Sequence, residues 1–175
     1  MSRLRLRSTC GTKENLSVWT RLEKQINVER TALRRAIETH RPLIDKVRTE
    51  TPTPIEVSAL AALLHSFYTG IENICKRITV ELGDSMPEGN MWHALLLDSM
   101  TAISARRPAV LSRTLAQRLR LYLDFRHVFR HAYPFDLRWS KMAALVLDCE
   151  AVLLALEDEI DRFVISGKQT DRSEK

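Results

Sequence analysis

The chain has 175 residues, 45% hydrophobic and 28% charged, with five Gly, six Pro and a formal net charge of +5. That length suits one domain with a core of its own, and the balance of residues excludes a fibrous or wholly disordered chain. No segment reaches the roughly 18 apolar residues of a membrane span. The basic start Met1-Ser-Arg-Leu-Arg-Leu-Arg7 lacks the apolar run of a secretory signal.

The three cysteines, Cys10, Cys75 and Cys149, are far apart and lack metal-ligand spacing. The expectation is a reduced, cytoplasmic protein with no membrane contact.

Helical periodicity dominates. Residues 1–15 read as a flexible basic N-terminus and 16–166 as a single helical domain. From Leu16 to about Val47, Trp19, Leu22, Ile26, Leu33, Leu43 and Val47 recur at threes, fours and sevens, which predicts a long helix bent near Pro42. Thr53-Pro54-Ile55-Glu56 combines a Thr cap, Pro at the first turn and Glu three residues on. The helix it opens carries Leu60, Leu63, Leu64, Phe67, Ile71, Ile74, Ile78 and Leu82 on one stripe and ends at Gly83.

Met86-Pro-Glu-Gly89 predicts a loop, followed by a short helix from Asn90 to about Ala105. Pro108 then marks the start of a fourth helix, with Leu111, Leu115, Leu119 and Tyr122 inward and Pro134 as its stop. A last helix is predicted from Asp136 to about Ser166, with Leu145, Val152, Leu156, Ile160 and Phe163 inward. Residues 167–175 read as a disordered polar tail. Nothing alternates like a strand, so the predicted fold is an all-α, up-and-down bundle of four to five helices.

Charge is uneven along this pattern. Between Arg106 and Lys141, eight arginines and one lysine oppose Asp124 and Asp136, whereas Met142 to Ile165 sets six acids against Arg162. Such a contrast serves solubility, or it marks a surface for a polyanion such as nucleic acid.

The basic segment ends in Phe125-Arg126-His127-Val128-Phe129-Arg130-His131-Ala132-Tyr133-Pro134. Wound as an α-helix, Tyr133, Arg126, Arg130, His127 and His131 fall within about 160°, and Val128, Ala132, Phe125 and Phe129 occupy roughly 100° on the other side. One side is expected to pack and the other to face solvent.

That polar arc has the parts for cleaving RNA without a metal. The reaction needs a base for the 2′-hydroxyl proton, an acid for the leaving 5′-oxygen and positive charge on the phosphorane. Histidine exchanges protons near neutral pH, and arginine matches phosphate oxygens with a planar fork. His127 and His131 also have the i, i+4 spacing of a zinc pair. Arg126 and Arg130 share their face, however, and no Cys or carboxylate stands close by in sequence, so no metal or other cofactor is expected. A solvated helix end, where the dipole favours cations, is the plain alternative.

Three further residues are candidates. His93, after Trp92, reads as a packing or hydrogen-bonding residue. Glu72, one turn after Tyr68, is placed either to make an ordinary buried or surface pair or to orient an arginine of the arc. Arg106 and Arg107 read as charges ahead of the Pro108 helix start, with RNA contact as the lesser alternative.

Arg126-x4-His131-x-Tyr133 resembles the R-x4-H-x-Y signature of HEPN-domain ribonucleases, specifically the HepT-like toxins paired with minimal nucleotidyltransferase antitoxins. Ser66-Phe-Tyr-Thr-Gly-Ile-Glu72, Met86-Pro-Glu-Gly-Asn-Met-Trp-His93 and Arg107-Pro108 resemble the same branch, and the similarity spans roughly Leu16 to Phe163.

The resemblance implies a HEPN-type bundle that usually forms a homodimer, with two copies of the motif facing one another across a cleft. It implies an endoribonuclease acting on RNA, tRNA or mRNA. Arg126 and His131 match the catalytic positions, and His127 and Arg130 assist or bind RNA. His127 stands where related proteins often carry Asn, which puts the division of acid and base roles in question. Tyr133 matches the tyrosine that such nucleotidyltransferases modify with AMP. The same resemblance also fits a non-catalytic HEPN partner that helps a nucleotidyltransferase bind its substrate or nucleotide.

Overall fold

The computed structural model describes residues 17–131, 133 and 136–173. The predicted basic N-terminus, and the Ala132 and Pro134 expectations, lie outside these residues. Five helices are present and no strand occurs among the described residues: α1 (Val18–Lys46), α2 (Pro54–Glu81), α3 (Trp92–Ser99), α4 (Arg113–His131) and α5 (Trp139–Ser173). None is long and apolar enough to cross a membrane among the described residues.

α2 is the centre of the bundle and packs against α1, α4, α5 and α3. Its sequence explains this position: Leu60, Leu63, Leu64, Phe67, Ile71, Ile74 and Ile78 are all buried, a stripe too wide for a helix with one neighbour. Its start is the predicted capping box, in which Thr53 Oγ1 accepts from Glu56 N while Glu56 Oε2 accepts from Thr53 N at 2.8 Å.

The end of α2 is equally local. Gly83 takes φ +75°, Asp84 N donates to Thr79 O at 2.9 Å, and Gly83 N donates to Val80 O at 3.1 Å. This is the reversal that a left-handed residue after a helix permits.

The reversal delivers Asp84 to Arg107, whose side chain is 2% exposed and whose Nε lies 2.8 Å from Asp84 Oδ2. Arg107 also donates to the carbonyls of Ser99, Ala102 and Pro108. The two helix boundaries flanking this arginine differ from the sequence expectation. α3 stops at Ser99 instead of near Ala105, because Arg107 supplies donors to the carbonyls that follow. α4 starts at Arg113 instead of Pro108: Ser112 Oγ accepts from Leu115 N at 3.1 Å, and Glu159 of α5 holds Ser112 through its N and Oγ at 2.7 Å each.

α1 and α5 are zipped by charge. Arg30 meets Asp161 at 2.6 Å, Arg34 forks onto Glu157 at 2.7 and 2.8 Å, and Arg41 forks onto Glu150 at 2.7 Å on both oxygens. Asp148 takes Arg118 of α4. Apart from Glu159, which holds Ser112, the acids of α5 from Asp148 to Asp161 are thus paired with arginines other than those at the end of α4.

Pro42 sits inside α1 without ending it. α5 starts at Trp139, later than predicted, and continues to Ser173 instead of stopping near Ser166. Gly167 lies within the helix and against Trp19, where there is no room for a Cβ, so it serves close packing of α5 on α1 and not termination. Lys168 then pairs with Glu23 at 2.6 Å.

Candidate active site

The site is built where α2, α3 and the last two turns of α4 meet. α4 buries Leu115, Leu119, Tyr122 and Leu123, and the next position on that stripe is Arg126. Its side chain is only 11% exposed, which corrects the expectation that Arg126 lies on a solvent-facing arc. Val128 is the converse: expected on the packing side with Phe125 and Phe129, it is 61% exposed. Phe125 and Phe129 do pack against the core.

A guanidinium on a core stripe needs a counter-ion, and α2 supplies it. Glu72, 2% exposed, places Oε2 3.7 Å from Arg126 Nη1. The same oxygen takes a short hydrogen bond from His93 Nδ1 of α3, and Lys76 Nζ sits 2.8 Å from Oε1. Burial pushes the Glu72 carboxyl up, but Lys76, His93 and Arg126 together outweigh it and hold the group below the ordinary carboxylate range.

Glu72 is therefore an acceptor, so the proton of the short bond sits on His93 Nδ1. Arg126 Nη1, 3.3 Å from that nitrogen, lies across the Glu72–His93 pair and does not donate to the ring.

Aromatic contacts fix the imidazole further. Trp92 stacks on His93 with centroids 3.7 Å apart, Lys76 lies over the Trp92 ring at 4.7 Å, and His127 meets His93 edge-on at 5.7 Å. With His93 and Lys76 on its ring, Trp92 is committed to the site's interior.

His127 is half-buried. Burial, His93, Arg126 and Arg130 lower its pKa against a weaker opposing effect of Asp124, so near pH 7 the ring is neutral and able to accept a proton. Arg130 and His131 are exposed on the last turn. Tyr133 follows the helix with 67% of its surface exposed, and its carbonyl accepts from Asp136 N at 2.9 Å.

Sequence reasoning missed two members. Lys76 is the second cation on Glu72. His65 stacks near Phe129, with centroids 5.0 Å apart, and burial together with Arg126 and Arg130 depresses its pKa. The signal for both was spacing: His65, Glu72 and Lys76 are seven and four residues apart on α2, which places them on one face. Among the described residues no group of three or more His, Cys, Asp or Glu side chains is arranged to hold a metal ion.

Chemically, the arrangement offers one nearly buried guanidinium paired with a buried carboxylate, one exposed guanidinium, and the four imidazoles of His65, His93, His127 and His131. The positive excess suits an anionic ligand, and the neutral His127 suits proton transfer. Residues 59–166, which include every residue of this site up to Tyr133, match the model of a family described as HepT-like protein. No curated protein and no solved structure matches the chain.

Proposed function

The chain belongs to the HepT-like family of HEPN proteins, and on that premise we propose that it is a metal-independent endoribonuclease, the toxin of a pair whose antitoxin is a minimal nucleotidyltransferase. The observation that carries this reading is the placement of Arg126, paired with the Glu72 carboxylate that His93 holds, on the helix that ends in His127, Arg130 and His131. Arg126 holds a non-bridging phosphate oxygen and stabilises charge on the phosphorane.

His131 is the proton-transfer residue, and His127 and Arg130 assist it or hold RNA. The 2′-oxygen bonds to phosphorus as its proton passes to a base. The bond from phosphorus to the 5′-oxygen breaks as that oxygen receives a proton. The products are a 2′,3′-cyclic phosphate and a 5′-hydroxyl, and neither metal nor water enters this step.

The partner of one protomer is a second copy. A single helix end presents a shallow surface, whereas two opposed ends make a groove for one RNA strand. Tyr133 is the regulatory acceptor. Its phenolic oxygen bonds to the α-phosphorus of ATP, pyrophosphate leaves, and the phenolic proton is lost. The added charge and bulk beside Arg126 and Arg130 then oppose RNA binding.

Digestion of total RNA in EDTA by the wild type and by His131→Ala tests the reading. Cleavage with cyclic phosphate ends, reduced about 10²-fold or more in the variant, is the expected result. If purified wild-type dimer leaves RNA intact while binding a nucleotidyltransferase, the chain is a non-catalytic HEPN partner instead. If His131→Ala cleaves like the wild type, the proton-transfer role of His131 is wrong.

A further inference from the structure

α1 and α2 leave an open groove of about 310 Å³ between them, and His65 joins it to the end of α4. The half-buried His65 ring lines the groove and also packs against Phe129, with centroids 5.0 Å apart. Its Nδ1 is sealed from solvent without a hydrogen-bond partner, so what remains of the ring for a ligand is its Nε2 edge and its aromatic surface. The floor is closed where the helices touch, since a Cβ at Gly70 would lie 2.8 Å from the Leu33 side chain. Ala32 and Ala36 of α1 place no bulk over it.

The groove is the neutral neighbour of a positive surface. Arg126 and Arg130 stand close enough to His65 to add to the effect of burial in disfavouring its protonation, so near pH 7 it presents an uncharged aromatic ring. Glu29, the charged residue on the rim, is paired with Arg77 at 3.0 Å. Ser66 and Asn73 complete the rim, and a hydroxyl and an amide suit the edge of a base. A phosphate is drawn to the arginines, whereas the groove suits a flat, uncharged group. Its volume is at the lower end of ligand sites, room for one base and little more.

We infer that this groove is a base-binding site, in which a nucleobase next to the scissile phosphate of the RNA stacks on His65 with its edge toward the polar rim. The role rests on the ribonuclease reading above and adds to it a contact with a base, where Arg126 and Arg130 meet only phosphate. Base stacking on a protein ring tolerates any sequence, and its loss costs on the order of tenfold in binding.

Steady-state cleavage by the full-length protein tests the groove. Ala32 is exposed, so Ala32→Trp fills the groove from outside without entering the core, and Ala32→Leu is the smaller plug if the tryptophan variant does not fold. Ala32→Trp and His65→Ala are each expected to lower kcat/KM for an RNA oligonucleotide about tenfold, mainly through KM. Oligonucleotides carrying one abasic site on either side of the cleaved bond should show the same loss with the wild type at one position. At that position Ala32→Trp should add nothing further. Additive losses at every position, or a folded plugged variant that cleaves like the wild type, overturn the inference.

A readout independent of cleavage is ¹H NMR of the protein with AMP, GMP, CMP or UMP. Nuclear Overhauser contacts are expected between base protons and the His65 ring protons, assigned by their absence in His65→Ala, and should disappear in Ala32→Trp. Such contacts in a protein that does not cleave RNA support the groove and discard the ribonuclease reading instead. Their absence with all four nucleotides overturns the groove, and RNA cleavage in the same preparation would leave the ribonuclease reading standing.

Discussion

Replacing Arg126 by alanine should unfold the protein more easily as well as silence it. The guanidinium is 11% exposed and faces a carboxylate that is 2% exposed. Removing one member of a fully buried ion pair costs about 3–5 kcal/mol. Here the contact is 3.7 Å long, and Glu72 keeps Lys76 at 2.8 Å and the His93 hydrogen bond, so the expected loss is nearer about 2 kcal/mol.

For a chain of 175 residues, that loss lowers Tm by roughly 4–8 °C. His131→Ala, at an exposed helix end, should stay within about 0.5 kcal/mol of the wild type. Urea unfolding followed by circular dichroism measures both. The double variant Glu72→Gln/Arg126→Met removes both charges and should recover part of the loss, leaving a coupling of about 1 kcal/mol. An Arg126→Ala protein as stable as the wild type, or additive behaviour in the cycle, would refute the burial argument. Activity assays on Arg126→Ala therefore need a folded fraction measured alongside, and those on His131→Ala do not.

Stability should fall steadily on acidification from pH 7. The unfolded state protonates first at His65 and His127, whose folded values lie below 6.5. The contribution of the depressed Glu72 carboxyl is present above the unfolded value near 4.3 and is lost as pH drops through its lower folded value. His65→Leu should flatten the slope between about pH 7 and 5 in a urea series, and an unchanged slope counts against the assignment. Gly167→Ala would favour the helix by about 1 kcal/mol at an open site. Here a Cβ would lie 2.1 Å from Trp19, so a net loss of about 1–3 kcal/mol is expected in thermal unfolding. Mass spectrometry after incubation with ATP, Mg²⁺ and the cognate nucleotidyltransferase should place AMP on Tyr133, and modification solely at another tyrosine would contradict that role.

Much of the fold was legible because its signals are local. The Thr53–Glu56 box, Pro54 and Gly83 mark both ends of α2 in adjacent residues, and the apolar spacing of α1, α2 and α5 is regular enough to name the core. Boundaries failed where a distant group decides them. Nothing near Pro108 reveals that Arg107 is drawn inward by Asp84 from the end of α2, or that Ser112 is the cap because Glu159 holds it. The end of α5 was misplaced for a similar reason, since Gly167 reads as a stop until Trp19 is seen filling the space beside it.

The site was misread in a more instructive way. Sorting the end of α4 by polarity sends Arg126 to solvent, yet counting back from it gives Leu123, Tyr122, Leu119 and Leu115, all buried. Arg126 is the continuation of that stripe. Winding only the last ten residues placed the side chain wrongly, and extending the stripe from Leu115 would have placed it correctly. A charged residue in phase with a core stripe requires an opposite charge on whatever the stripe packs against. α2, the central helix of the bundle, holds Glu72 in phase with its own buried face, and the two charges are buried together. The same rule separates His131 from Arg126: His131 is out of phase with the stripe and stays exposed, so the two positions of one short motif sit in different solvents. The inner residue is suited to a fixed charge and the outer one to exchanging protons, so helical phase supports the division of roles proposed for them.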